Sequence, residues 1–190
     1  MSNKTDFLLK YGTPQHHLEI ANDVVKAINN KKNQAISYSW NEEKILRKLS
    51  SDAQTHVLDS VSHADTREHI AHRLTLSDDT HPTVLDKIYS EYPNRARSIV
   101  MNANASPEVL RKIYHAGHYG GKGGLEDIIV HKNTPDDVLE HIAQTANPEH
   151  LLIFSYRQYP VTKQTKDILL NRSDYHQYEK NKIDQKLQTK

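Results

Sequence analysis

The chain contains no cysteine in 190 residues, which excludes disulfides, thiolate metal sites and a thiol nucleophile together. It is also short of apolar material: 36% of residues are hydrophobic and 7% aromatic, with one Trp and two Phe. No run approaches the roughly 18 apolar residues of a membrane span, and Met1-Ser-Asn-Lys-Thr-Asp6 has no apolar stretch behind it. The expectation is a soluble cytoplasmic protein with no membrane contact. Glycine is scarce as well, and five of the six crowd into Gly117-His-Tyr-Gly-Gly-Lys-Gly-Gly124. The net charge is only +1 but unevenly spread. Residues 1–75 carry 10 basic and 9 acidic side chains, residues 76–150 carry 7 and 11, and residues 151–190 carry 8 and 4. A chain that held phosphates along its length would show a basic stripe throughout, and here the excess lies in the tail.

What the sequence does contain is one phrase, rewritten: Thr13-Pro14-Gln-His-His-Leu18, His81-Pro82-Thr-Val-Leu85, Ser106-Pro107-Glu-Val-Leu110 and Thr134-Pro135-Asp-Asp-Val-Leu139. Each reads as a helix start. Ser106 and Thr134 can cap through their hydroxyls, and Pro107 and Pro135 fall at the first helical position, where a missing N–H costs nothing. Thr134-x-x-Asp137 approximates a capping box. Without a proline, Asn41 can cap and Trp40 can pack on Ile45 as a hydrophobic staple.

Short helices are expected after these caps at Pro82 to Tyr89, Pro107 to His115 and Pro135 to Ala143, and in the same role at Glu42 to Leu49, Arg67 to Leu74 and Lys163 to Leu170. An apolar segment precedes each cap, as in Ile99-Val100-Met101, Ile128-Ile129-Val130 and Leu151 to Phe154, with Val57-Leu58 and Ala35-Ile36 in equivalent places. The anchors Leu85, Leu110, Leu139 and Ile168 stand 25, 29 and 29 residues apart, room for two short helices and two turns. Repetition at that period indicates a solenoid, whose large surface suits a low apolar content. The fold class is therefore all-α: an α-solenoid of five or six short helical pairs over residues 1–172. Residues 173–190 form a polar, basic capping helix or tail.

The phrase Asn102-Ala-Asn104-Ala-Ser106-Pro107-Glu-Val-Leu110, following an apolar helix, resembles the leucine-rich repeat variant and the short HEAT-like repeats of bacterial and phage proteins. The likeness covers roughly residues 11–170 and is clearest over 80–155. It departs in the degenerate first units and in an insertion at 115–125. It implies a superhelical array used for interaction rather than catalysis, and transfers no catalytic residue.

Chemistry is thin elsewhere. The glycine cluster 117–124 lies ahead of a helix, with Lys122 within it, as a phosphate cradle would. The nucleotide-loop pattern fails because Ala116 stands at the first glycine and Gly123 at the magnesium-holding Ser or Thr. The segment is a flexible link, or a loop that touches a partner through Tyr119 and Lys122. His69-x-x-His72 and His115-x-x-His118 pair imidazoles at helical spacing, but nothing supplies a third ligand, and no metal or other cofactor is expected. Ser60-Val-Ser-His63 and Ser155-Tyr156 lack a nucleophile elbow. Arg95, Arg97, Tyr156 and Arg157, of types favoured at interfaces, complete the candidate binding set. The expectation is a non-enzymatic module that docks a protein, a host or regulatory protein if the chain is phage-like. The alternative is a nucleic-acid binder or DNA-repair-type enzyme with a basic concave surface.

Overall fold

Helix starts dictated by the repeated phrase organise the computed structural model, which describes residues 3–30, 40–120 and 122–189, the side chains of Asn3, Trp40, Asn41, Glu42 and Lys122 excepted. Among the described residues the chain is all-helical, with no strand and one isolated bridge between Val161 and Thr189. It forms two compact units, Met1–Asn104 and Ala105–Lys190.

The first unit holds α1 (Asn3–Tyr11), α2 (Pro14–Asn29), α3 (Trp40–Lys48), α4 (Ser51–Ser60), α5 (Ala64–Thr75), α6 (Pro82–Glu91), a 3-10 turn (Pro93–Arg95) and α7 (Ala96–Val100). They pack in two rows. Helices α1, α3, α5 and α7 touch in succession, as do α2, α4 and α6, and α1 meets α2 and α5 meets α6 across the rows. Leu46, Leu58, Ile70, Leu74, Leu85, Ile88 and Ile99 fill the space between the rows, each under 2% exposed. The second unit holds α8 (Pro107–His115), α9 (Lys122–Val130), α10 (Asp136–Thr145), α11 (Pro148–Leu151), a 3-10 turn (Leu152–Tyr156), α12 (Lys163–Asn171) and α13 (Gln177–Lys186). There α10 packs on α12, while α9, the 3-10 turn and α13 form the other side around Leu110, Ile113, Ile128, Ile129 and Phe154. The tail is helical: α13 buries Ile183 against α12 and the 3-10 turn.

Several caps are as the sequence reads. Ser106 Oγ accepts the Val109 N–H at 3.0 Å with Pro107 opening α8, and Thr13 and His16 form a reciprocal capping box at α2. His81 replaces a hydroxyl, its Nδ1 accepting the Thr83 N–H at 3.4 Å.

Four expectations need correction. Helix α10 begins at Asp136, with Pro135 at the N-cap and no side-chain cap, because the Thr134 hydroxyl turns inward and donates to the Ile128 carbonyl at 2.5 Å. The residues expected as post-cap helices over 42–49 and 67–74 lie in α3 and α5, in the row of α7, whereas Val57 and Leu58 lie on α4, in the row of the post-proline helix α6. The physical cause is α4 itself, which starts at Ser51 without proline or side-chain cap, its Ser50 N–H taken by His17 Nδ1 at 2.9 Å. In α12 the fully buried positions are Thr165 and Leu169 rather than Ile168, since Lys166 occupies the place of Leu85, Leu110 and Leu139 four residues after the cap. Helix α3 begins at Trp40, which puts Asn41 inside it; the Trp40 staple lies outside the described residues.

The turns leading into α6, α8 and α10 share a hydrogen-bond code. Ser77, Asn102 and His131 each accept the N–H two residues on, at 3.3, 2.9 and 3.0 Å. Asn102 Nδ2 also reaches the Thr75 and Ser77 carbonyls at 2.8 and 2.9 Å, and in the second unit Arg157 Nη1 reaches the Ile129 and His131 carbonyls at 2.6 and 2.7 Å. Thr75 and Ile129 stand six residues before their N-caps, Ser77 and His131 four before. Carbonyls at and just past a helix end are thus met, in the same register, by a side chain about 26 residues later, beside the turn's own N–H in the case of Ser77 and His131. Asn104 and Asn133 repeat the device one turn on, donating to Thr80 at 3.2 Å and Ala105 at 2.9 Å.

Candidate functional site

The six candidate residues fall in both units, Arg95 and Arg97 in the first and Tyr119, Lys122, Tyr156 and Arg157 in the second. In the first unit several cations that face a neighbouring helix are matched. Arg95 Nη2 meets Glu68 Oε1 at 2.8 Å, and Asn94 donates to the same oxygen at 3.2 Å. These bonds, that of Asn94 foremost, hold the Glu68 carboxyl below its ordinary value. Lys87 lies between Asp59 and Glu91 at 2.8 and 2.6 Å, and both Arg47 and Arg73 grip Glu43. Burial alone would raise Glu43; Arg73 and Arg47 bring it below normal. Arg97 is exposed on α7. An open groove of about 820 Å³ near the ends of α1 and α3 mixes signs, with Asp6 and Asp79 opposite Lys10, Arg47 and Lys48.

In the second unit the glycine segment has a defined geometry. Gly117, at φ 68°, closes α8 in a left-handed turn, with Gly117 N–H on the Tyr114 carbonyl at 3.0 Å and His118 N–H on Ile113 at 3.1 Å. Gly124 lies so close to Tyr119 that a Cβ would stand 1.4 Å from its carbonyl oxygen. Those two glycines are set by a reversal and a close approach, not by a phosphate. The approach seats Tyr119 against Tyr114 of α8, rings 6.0 Å apart and inclined 18°. The Tyr114 hydroxyl is joined to His141 Nδ1 of α10 at 2.7 Å, and His115 lies 6.2 Å from the His141 ring. Beside this cluster Arg111 grips Asp137 with two bonds at 2.8 and 2.9 Å. The Lys122 side chain lies outside the described residues.

Tyr156 and Arg157 are neighbours in sequence and point apart. Arg157 is 6% exposed, turned inward onto the two carbonyls described above, so it holds the fold and presents little to solvent. Tyr156 is 60% exposed, and Lys182 of α13 donates to its hydroxyl at 2.9 Å with the ammonium 4.8 Å from the ring centre. Tyr119 belongs to the α8 and α10 surface and Tyr156 to that of the 3-10 turn and α13, so the structure gathers no single patch from them.

Sequence reading missed Tyr114, His141 and Lys182. Their signal is spacing: Tyr114 to His141 is 27 residues and Tyr156 to Lys182 is 26, near the repeat period.

Four of the thirteen histidines act as acceptors of a backbone N–H. His16, His17, His81 and His131 each take a backbone N–H on Nδ1, which requires an unprotonated Nδ1 and so the Nε2–H tautomer. Burial, then Arg95, His69 and Arg73, depress the His72 imidazole. Among the described residues no group of three or more His, Asp or Glu side chains is placed to hold a metal ion. Ser60 Oγ lies 3.4 Å from His56 Nδ1, whose Nε2 is 2.8 Å from Asn22 Oδ1. The first contact is at the limit of hydrogen bonding, and the row ties α4 to α2.

No helix among the described residues is long and apolar enough to cross a membrane. Compared with protein-family models, curated proteins and solved structures, the chain matches none.

Proposed function

We propose that the chain is a non-enzymatic binding module of the cytoplasm: an α-solenoid of five or six helix pairs, similar to the leucine-rich repeat variant and short HEAT-like repeats of bacterial and phage type, that docks a protein partner, host or regulatory in kind. The observation that carries this reading is the register of the turns. Asn102 and Arg157 serve the same two carbonyl positions although they differ in chemistry and lie in different units. A stack in which each pair completes its neighbour needs that recurrence, and a single central core does not.

The docking face is the ring cluster of Tyr114, His115, Tyr119 and His141, bordered by the Arg111 and Asp137 pair. Aromatic rings within a polar border are the usual anchors of protein interfaces. The carboxylates set against Arg73, Lys87 and Arg95 disfavour a phosphate-binding stripe on the first unit.

The test is a pull-down from native lysate under gentle salt with the wild-type chain and Tyr119→Ala. A partner retained at stoichiometric level by the first and lost from the second, at unchanged melting temperature, is expected. Retention of no protein by the wild-type chain overturns the reading.

A further inference from the structure

The second unit carries a surface that the ring cluster on α8 and α10 does not include. On α13, Tyr178, Lys182 and Lys186 stand at successive i, i+4 positions and so share one stripe. Tyr178 is 72% exposed, and Tyr156 of the 3-10 turn, 60% exposed, lies against Lys182. Four other cations of this unit are set against acids: Arg111 on Asp137, Lys112 near Glu108, Lys166 on Asp184 and Arg172 on Asp174. Among the described residues neither Lys182 nor Lys186 has a carboxylate within ion-pair distance. The charged groups acting on the Tyr156 hydroxyl are both cations, and they draw its phenol below the ordinary value, Lys182 chiefly through its hydrogen bond and Lys186 through charge alone. Tyr156 thus stands beside two cations, and Tyr178 lies one turn from Lys182 on the same helix.

We propose that this stripe binds single-stranded nucleic acid, with two or three nucleotides held by bases stacked on Tyr156 and Tyr178 and by phosphates on Lys182 and Lys186. A duplex hides its base faces and cannot use the rings. An acidic peptide can use the ammonium groups but leaves the rings idle, so the pairing of ring with cation favours a polyanion that also carries flat bases. The inference does not rest on the protein-docking reading, which names a different surface.

The experiment is fluorescence anisotropy of a labelled oligothymidylate with the full chain across a salt series, beside a duplex of equal length and a labelled polyglutamate peptide. The expected result is binding to the single strand at low salt that weakens with a log–log slope of about −0.7 for each phosphate held. Tyr178→Ala should weaken it by about tenfold, within the range for loss of one stacked base. Gln164→Ala, an exposed position on α12 outside the stripe, should bind like wild type. Lys182→Gln should make the slope shallower by about 0.7, a change that loss of fold would not produce. All three positions are on the surface, and equal melting temperatures confirm intact variants. Absence of binding at low salt, equal binding of the duplex, or polyglutamate binding that is lost equally in Tyr178→Ala would each overturn the proposal.

Discussion

Replacing Asn102 by Ala probes the turn code where it is most fully expressed. Asn102 is 3% exposed, and its side chain donates to the Thr75 and Ser77 carbonyls and accepts from the Asn104 N–H. Alanine leaves the Thr75 carbonyl and the Asn104 N–H to find other partners, while the Ser77 carbonyl loses one of two donors and keeps the Thr80 N–H at 3.1 Å. Each buried group left unpaired costs about 1–3 kcal/mol, and a carbonyl with a second lone pair or access to water suffers least. A net loss of about 3 kcal/mol follows, at the upper end of what one substitution does. Asn102→Asp should cost more near neutrality, because a carboxylate oxygen would then face the two carbonyls where a donor is required. The assay is urea unfolding followed by the fluorescence of Trp40, the chain's single tryptophan and a member of the same unit as Asn102. Gln164→Ala, exposed on α12, is the control and should stay within about 0.5 kcal/mol of wild type. If Asn102→Ala also falls within that margin, the bonds between successive turns contribute little and the reasoning fails.

Gly124→Ala should unfold or reshape the start of α9, since its Cβ would overlap the Tyr119 carbonyl, whereas Gly117→Ala meets open space and should cost only about 1–2 kcal/mol for its positive φ; circular dichroism melts of the two separate these outcomes. Ser106→Ala should cost about 1 kcal/mol as a lost cap, read from the urea midpoint by circular dichroism. Arg157→Met keeps most of the buried stem but deserts the Ile129 and His131 carbonyls, and should destabilise the second unit by about 2–4 kcal/mol in urea unfolding followed by circular dichroism. Because burial, with Arg95, His69 and Arg73, places the His72 imidazole below the free value of about 6.5, its contribution is present above that pH and is lost as pH falls through the lowered value. Stability of the first unit should therefore decline between neutrality and mild acid, and His72→Gln should flatten that slope.

What was legible in the chain is local. Ser106-Pro107 and Thr13-Pro14 announce their helices because a cap and a fixed φ act within three residues, and α8 and α2 start where those residues say. Pairing beyond one helix was not legible. Thr134 has the same local credentials as Ser106, yet its hydroxyl goes to Ile128, a choice made by the shape of the preceding turn. Helix α4 has neither proline nor side-chain cap, so its row depends on packing against α2 and α6. Arg157 looks like a surface anchor because the carbonyls that bury it are 26 and 28 residues away. The same distance conceals the partners of Tyr156 and Tyr114, and only an aligned view of successive turns would pair them.

Hydrogen exchange of individual amides in wild type and Asn102→Ala, under stabilising conditions, tests most directly whether each helix pair is completed by its neighbour. The account predicts that protection falls in α5, α6 and α7 and is kept in α1 and α2. An equal fall throughout Met1–Asn104 would reveal one indivisible core and contradict it.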